Sequence, residues 1–370
     1  MGDIDTAYLI LENGAVFQGK YFGAHGEVTG EIVFTTGMTG YLETLTDPSY
    51  CGQIVMQTFP LIGNYGIIPD DFENAAIGMK AYIVKYPCKN PSNFRSVAIN
   101  GVYNIDTFLK ERGITGMYGI DTRALAKIIR KNGVMNGKIT ASVPTDADCE
   151  EIKKYSVVNP IAAVSLTDMA PVQEIAPDCS RMGRRVALMD FGAKRGITNA
   201  LLARCCEVRS FSYNTTAEEI LKIKPNGIML SNGPGDPADS NNRIIIETIG
   251  ALVKTGIPIF GICMGHQLLA LANGYQTRKL KFGHRGANQP VKDTQTGNVY
   301  ITSQNHGYEV VADSSGSGFC SLVNVNDGSC EGIDYGVSFS VQFHPEARSG
   351  PLDTGFLFDK FMERMNTHAA

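Results

Sequence analysis

The chain has 370 residues, which at about 150 residues per domain predicts two or three domains, each long enough to bury a core. Its 33 Lys and Arg against 37 Asp and Glu leave a formal charge of −4 at pH 7, so there is no broad basic field to hold nucleic acid or anionic lipid. Apolar residues at 43% with charged residues at 19% give the balance of a packed soluble protein, not of a disordered chain.

Residues 1–140 read as a strand-rich α+β domain. Strands are predicted at 8–11, 31–35 and 53–58, with Asn13-Gly14 as a hairpin-type turn. One helix is clear: Asp121 or Thr122 can cap it, Leu125, Ile128 and Ile129 share a face, and Gly133 stands where a helix-ending glycine belongs. Residues 141–183 lose the periodicity and carry Pro144, Pro160, Pro171 and Pro177, which predicts a connector.

From 184 to 370 strand and helix alternate, the signature of a mostly parallel sheet covered by helices on both faces, an α/β architecture. Strands are predicted at 186–189, 208–211, 227–230 and 258–260, with helices at 197–204, 217–224 and 242–254 between them. Residues 256–274 are the most apolar stretch, yet Pro258, several glycines, His266 and Gln267 break it, so no membrane span is predicted. Beyond Gly274, short strands with glycine turns predict antiparallel additions to the sheet, and Phe358, Phe361, Met362 and Met365 mark a closing amphipathic helix.

Nine cysteines are an odd number, and none forms a C-x-x-C pair, so free thiols in a reducing cytoplasm are expected and no metal site is predicted. No basic segment leads into an apolar run at the N-terminus, so no secretory leader is predicted. Gly261-Ile262-Cys263-Met264-Gly265 follows an apolar strand and opens a helix, the context of the G-x-S-x-G nucleophile elbow with sulfur in place of oxygen. The glycines permit a tight turn around a strained residue, and the helix aims its first amides and positive end at the sulfur, which favours the thiolate. An inert buried cysteine beside a packing glycine is the alternative.

A cysteine nucleophile needs a base and a group to orient it, and His344-Pro345-Glu346 supplies both residue types at the end of a strand predicted at 338–343. Ser231-Asn232-Gly233-Pro234-Gly235-Asp236-Pro237 leaves its strand as a fixed loop, able to turn backbone amides toward an oxyanion or to serve only as a tight turn. Gln304-Asn305-His306-Gly307-Tyr308 reads as a second polar turn, with groups suited to an amino acid ligand. The basic run at 278–285 reads as a solvated strand face, with an acidic partner surface as its alternative.

Residues 261–267, 231–237 and 344–346 together resemble the triad-type (class I) glutamine amidotransferases. Gly30-Glu31-Ile32-Val33-Phe34, Thr36-Gly37-Met38-Thr39-Gly40-Tyr41, Thr46-Asp47-Pro48-Ser49-Tyr50 and Gly63-Asn64-Tyr65-Gly66 are similar to the N-terminal domain of carbamoyl-phosphate synthetase small subunits. Asp190-Phe191-Gly192-Ala193-Lys194 and Lys281-Phe282-Gly283-His284 extend the resemblance over nearly the whole chain. It implies an α/β amidotransferase domain in which Cys263 is nucleophile, His344 general acid and base, and Glu346 its orienter. Glutamine contacts carry over to Ser49, Gly233, Gly235, Met264, Gln267, Asn305, Gly307 and Tyr308, with Met264 and Tyr308 standing where leucine and phenylalanine are usual. It further implies a cytoplasmic enzyme of arginine or pyrimidine biosynthesis that hydrolyses L-glutamine and passes ammonia to a large synthetase subunit, in a heterodimer or higher oligomer. No cofactor is expected on this chain, ATP and magnesium belonging to that partner. An amidotransferase serving another synthetase and a catalytically silent regulatory subunit are the alternatives.

Overall fold

The computed structural model describes residues 5–96, 103–166, 173–175, 183–313 and 316–368. The chain divides into two compact units, Met1–Val158 and Asn159–Ala370. Helices Asp146–Ile152 and Pro160–Val164, both inside the expected connector, fall on either side of that division, while Pro171 and Pro177 lie outside the described residues.

The first unit is a closed seven-stranded barrel. In spatial order its strands are Thr6–Leu11, Val16–Gly23, Thr115–Tyr118, Ala81–Val84, Gln53–Gln57, Val28–Thr35 and Met135–Thr140, the last pairing back onto the first. The hairpin at Gly14 forms as its turn chemistry dictates, with φ 84° at the glycine. Helix Thr122–Asn132 is capped by Asp121, whose Oδ1 accepts the Ala124 amide at 2.9 Å, and it stops at Gly133 with φ 98°. Ser49 sits buried in the short turn Pro48–Tyr50, where its amide donates to Asp47 Oδ1 at 2.9 Å.

The second unit is built on a ten-stranded sheet whose order is Gln173–Ile175, Glu207–Ser212, Arg185–Asp190, Gly227–Leu230, Ile259–Ile262, Phe339–Val341, Cys330–Asp334, Val299–Val311, Gln276–Asp293 and Phe319–Asn324. The five strands from Glu207–Ser212 to Phe339–Val341 are parallel and the flanking ones antiparallel. Side chains alternate across a strand, so a strand covered on both sides must be apolar throughout. Val186 and Leu188 pack on one face with Leu201, Phe358, Phe361 and Met365, whereas Ala187 and Met189 pack on the other with Ile245, Ile249, Leu252, Leu268 and Leu269. Each such large side chain contributes about 1.5–3 kcal/mol on full burial, which fixes the helices to the sheet and the sheet's edge to the helices. No helix among the described residues is long and apolar enough to cross a membrane. Among the described residues seven cysteines are free thiols, but Cys205 is disulfide-bonded, which corrects the expectation of free thiols throughout.

Candidate active site

Strands Ile259–Ile262 and Phe339–Val341 are parallel neighbours with Ile262 opposite Val341. Their carboxyl ends therefore stop side by side, and the residues leaving them share one edge of the sheet, where open α/β sheets hold their ligands. Cys263 leaves the first strand and donates its amide to Val341 O at 2.9 Å. It then opens helix Met264–Ala272 with φ 54° and ψ −104°, a strained conformation for any side chain larger than glycine.

The flanking glycines serve a different purpose from the turn expected of them. Gly261 and Ile262 belong to the strand, and neither Gly261 nor Gly265 has a positive φ. A Cβ on Gly265 would lie 2.3 Å from Leu230 O, and one on Gly261 would lie 2.6 Å from Gly265 O. Glycine is required there because the helix approaches the sheet backbone too closely for any side chain. The strain falls on Cys263 alone.

His344 is reached by a bend after Phe339–Val341 and is fastened by its amide, which donates to Ser303 O at 2.9 Å. Its Nδ1 donates to Glu346 Oε1 at 2.6 Å, and both side chains are only 1% exposed. Nε2 has no nitrogen or oxygen partner among the described residues, and the Cys263 thiol interacts with the same ring. Burial and the Lys194 ammonium push the imidazole toward neutrality, but Glu346 and the thiol outweigh them and raise its pKa to about 10. Burial opposes ionisation of Glu346, yet the imidazolium and Lys194 hold its carboxyl below the usual range. Sulfur, imidazole and carboxylate thus form one buried chain of interactions, the arrangement that activates a nucleophile.

Residues 9–139 match the family model described as carbamoyl-phosphate synthase small chain, CPSase domain, and residues 187–364 match glutamine amidotransferase class-I. A carbamoyl phosphate synthase small chain from Fusobacterium nucleatum is 50% identical over 97% of this chain and 98% of its own length. A carbamoyl phosphate synthase pyrimidine-specific small chain from Bacillus subtilis is 48% identical over 97% of this chain and 96% of its own. The chain belongs to the carbamoyl-phosphate synthase small chain family.

In this family member the loop at 231–235 is stitched to the loop after the neighbouring strand. Ser231 Oγ accepts the Phe191 amide at 2.9 Å, Asn232 Oδ1 accepts the Lys194 amide at 3.0 Å, and Asn232 Nδ2 donates to Gly192 O at 2.9 Å. A Cβ on Gly233 would meet Phe191 O at 2.4 Å and one on Gly235 would meet Pro160 Cγ at 2.4 Å, so both loops are held tightly enough to aim backbone amides. Met264, first residue of its helix and buried, has an amide with no intrahelical acceptor.

Gln267, one turn further along that helix, donates from Nε2 to Tyr308 O and to Gln342 Oε1, each at 2.9 Å. The Cys263 sulfur stands 3.7 Å from Asn305 O. Asn305, Gly307 and Tyr308 do not form the turn their composition predicts. They lie within the continuous strand Val299–Val311, because its partner Gln276–Asp293 absorbs the irregularity: the register shifts between Lys279 and His284, and Gly283 takes φ 70°. Tyr308 is half-buried. The basic run divides: Lys279 and Lys281 are exposed as a solvated face would be, whereas Arg285 is buried and donates to Phe282 O at 2.7 Å. Of the residues expected at the site, only Ser49 belongs to the first unit.

Lys194 was not singled out in the sequence as a site residue, although it acts electrostatically on both His344 and Glu346. Its place in the Asp190–Lys194 motif is the signal that marks it.

Behind the strand at 304–308 lies a buried polar network. Glu331 accepts from Gln304 Nε2 at 2.9 Å and from Asn324 Nδ2 at 3.2 Å, and His306 donates from Nδ1 to Tyr308 O at 2.8 Å. His284, His306 and Glu331 have donor atoms within 4.8 Å of one another, but those of His306 and Glu331 already hold protein partners, as in an internal network rather than a coordination shell. Burial pushes the His284 imidazole down, but Glu331 and Asp327 more than offset it and raise its pKa to about 8. A raised folded-state pKa contributes stability that is complete below the unfolded value and is lost as pH rises through the folded one. Between pH 6.5 and 8.5 the second unit should lose about 1–2 kcal/mol of stability. Urea titrations across that range should show the decline in the parent chain and a flatter profile in His284→Gln.

Proposed function

We propose that this chain hydrolyses L-glutamine to glutamate and ammonia as the glutamine-hydrolysing subunit of a carbamoyl-phosphate synthase. Cys263 attacks the γ-carboxamide carbon, and its proton resides on His344. The amides of Gly233, Gly235 and Met264 stabilise the tetrahedral oxyanion, His344 protonates the departing ammonia, and Glu346 holds the ring in the tautomer that permits both transfers. Water deprotonated by the same imidazole then cleaves the γ-glutamyl thioester and restores the thiol. Gln267, Asn305, Gly307 and Tyr308 are assigned to glutamine binding with Gly233, Gly235 and Met264; Ser49 is assigned by the family resemblance alone.

The observation that carries this reading is the pairing of the strained thiol at Cys263 with an imidazole whose other nitrogen is fixed by a buried carboxylate. Ammonia passes to a large synthetase subunit in the cytoplasm, where ATP and magnesium activate bicarbonate to receive it. The chemistry of this chain requires no metal or cofactor of its own.

A glutamine-like chloroketone tests the assignment directly, since it combines the amino acid recognition groups with a thiol-reactive carbon. Peptide mapping should find the adduct on Cys263, and added glutamine should slow its formation. Modification centred on Cys206 or another thiol, indifferent to glutamine, would displace the proposed nucleophile.

A further inference from the structure

Strands Phe319–Asn324 and Cys330–Asp334 form an antiparallel pair that carries two thiols unconnected with the site above. Cys320 lies opposite Ile333 and Cys330 opposite Val323, so the two are not direct cross-strand partners. Register shifts between Cys320 and Leu322 and between Leu322 and Val323 rotate the strand, and the two sulfurs come to lie 3.2 Å apart. A disulfide bond is about 2.05 Å long, so the sulfurs need approach by only about 1 Å to bond. We propose that Cys320 and Cys330 form a reversible redox modification site, a dithiol that a low-molecular-weight disulfide converts to an intrachain disulfide.

The two thiols have unequal surroundings, which assigns their roles. Cys320 is half-buried, which leaves it the more accessible of the two thiols to a small reagent. Cys330 is 2% exposed and packs with Ala270, Tyr275, Val310 and Ile333, where no reagent can approach. The hydrogen bond to Cys330 holds the Cys320 thiol below its ordinary range, and the same bond with burial pushes Cys330 up.

Cys320 thiolate therefore attacks a sulfur of the disulfide reagent, breaking its S–S bond and releasing one thiolate. The Cys330 thiol then gives up its proton and attacks the Cys320 sulfur of this mixed disulfide, expelling the second thiolate. Two protein thiols are oxidised and one external disulfide is reduced to two thiols, so atoms and electrons balance. The bridge would tie together the strands carrying Glu331 and Asn324, two members of the buried network behind the strand at 304–308.

Oxidised glutathione is the probe, applied to the full chain in mixtures of varying oxidised-to-reduced ratio and followed by alkylation, trypsin digestion and mass spectrometry. Residues 293–348 contain no internal Lys or Arg and hold Cys320 and Cys330 with no other cysteine, so the outcome is read from one peptide. From the reduced chain that peptide should carry two alkyl groups; as the ratio rises it should lose both and appear two hydrogens lighter than the unalkylated dithiol peptide, and dithiothreitol before alkylation should restore the dialkylated form. Cys330→Ser should stop at a glutathione adduct on Cys320, and Cys320→Ser should leave Cys330 unmodified. An unmodified peptide in a chain whose other thiols have reacted would overturn the proposal, as would a stable adduct on Cys320 of the parent chain without loss of the two hydrogens.

Discussion

Cys263→Ser is expected to abolish carbamoyl phosphate synthesis from glutamine by the assembled synthase, a loss on the order of 10⁶, while synthesis from added ammonia continues. The reason lies in the match between sulfur and the base beside it. An imidazole whose pKa is raised to about 10 is protonated at neutral pH, which suits a nucleophile that acts as an anion next to an imidazolium. A serine hydroxyl cannot supply that anion, because its proton is held far more tightly than a thiol's. The backbone at φ 54° accepts serine as readily as cysteine, so the fold should survive. Parallel assays with glutamine and with ammonia as nitrogen donor decide the matter: loss of both activities would count against the scheme, since ammonia needs no thiol.

Glu346→Gln should lower kcat by about 10⁴ with KM for glutamine changed little, because it removes the carboxylate that selects the tautomer and orientation of His344 without touching the substrate. The amide retains a hydrogen-bond acceptor but no charge. Of the influences on the imidazole, burial and Lys194 favour the neutral ring, while Glu346, by charge and hydrogen bond, and the Cys263 thiol oppose them. With the carboxylate's share of that opposition gone, the His344 pKa should fall, which NMR titration of the imidazole can follow. Neutralising one member of a pair that is 1% exposed on both sides should also cost about 3–5 kcal/mol of stability, so the variant needs a folding check by circular dichroism. A kcat within tenfold of the parent would mean that Glu346 does not orient the base.

The second unit was legible because its chemistry is local. The central parallel strands Gly227–Leu230 and Ile259–Ile262 are apolar runs, the helices between strands show a buried face, and the elbow and the His344-Pro345-Glu346 segment each lie just beyond a strand. The barrel was not legible, since its parallel pairings join Glu31 to Gln53, Ile54 to Ala81 and Ala81 to Thr115, separations that no periodicity encodes. Thr115–Tyr118 reads Thr-Gly-Met-Tyr and shows no alternation at all. Glycine misled at two places for one reason. At Gly307 and at the elbow its presence suggested a bend, whereas Gly307 sits inside a continuous strand and Gly261 and Gly265 provide clearance for a close backbone approach. Lys194 lay within the Asp190–Lys194 motif, but its charge acts through space on the buried pair, a role that the motif alone does not spell out.

Phe339–Val341 is the last strand to be synthesised, yet it occupies an interior position between Ile259–Ile262 and Cys330–Asp334. A ribosome-bound chain that has already formed the elbow therefore holds an open slot in its sheet, and the thiol has no imidazole until that slot fills. Pairing of these three residues with both neighbours closes that part of the hydrogen-bond ladder and brings the base to the elbow, so reactivity cannot precede the seating of this strand.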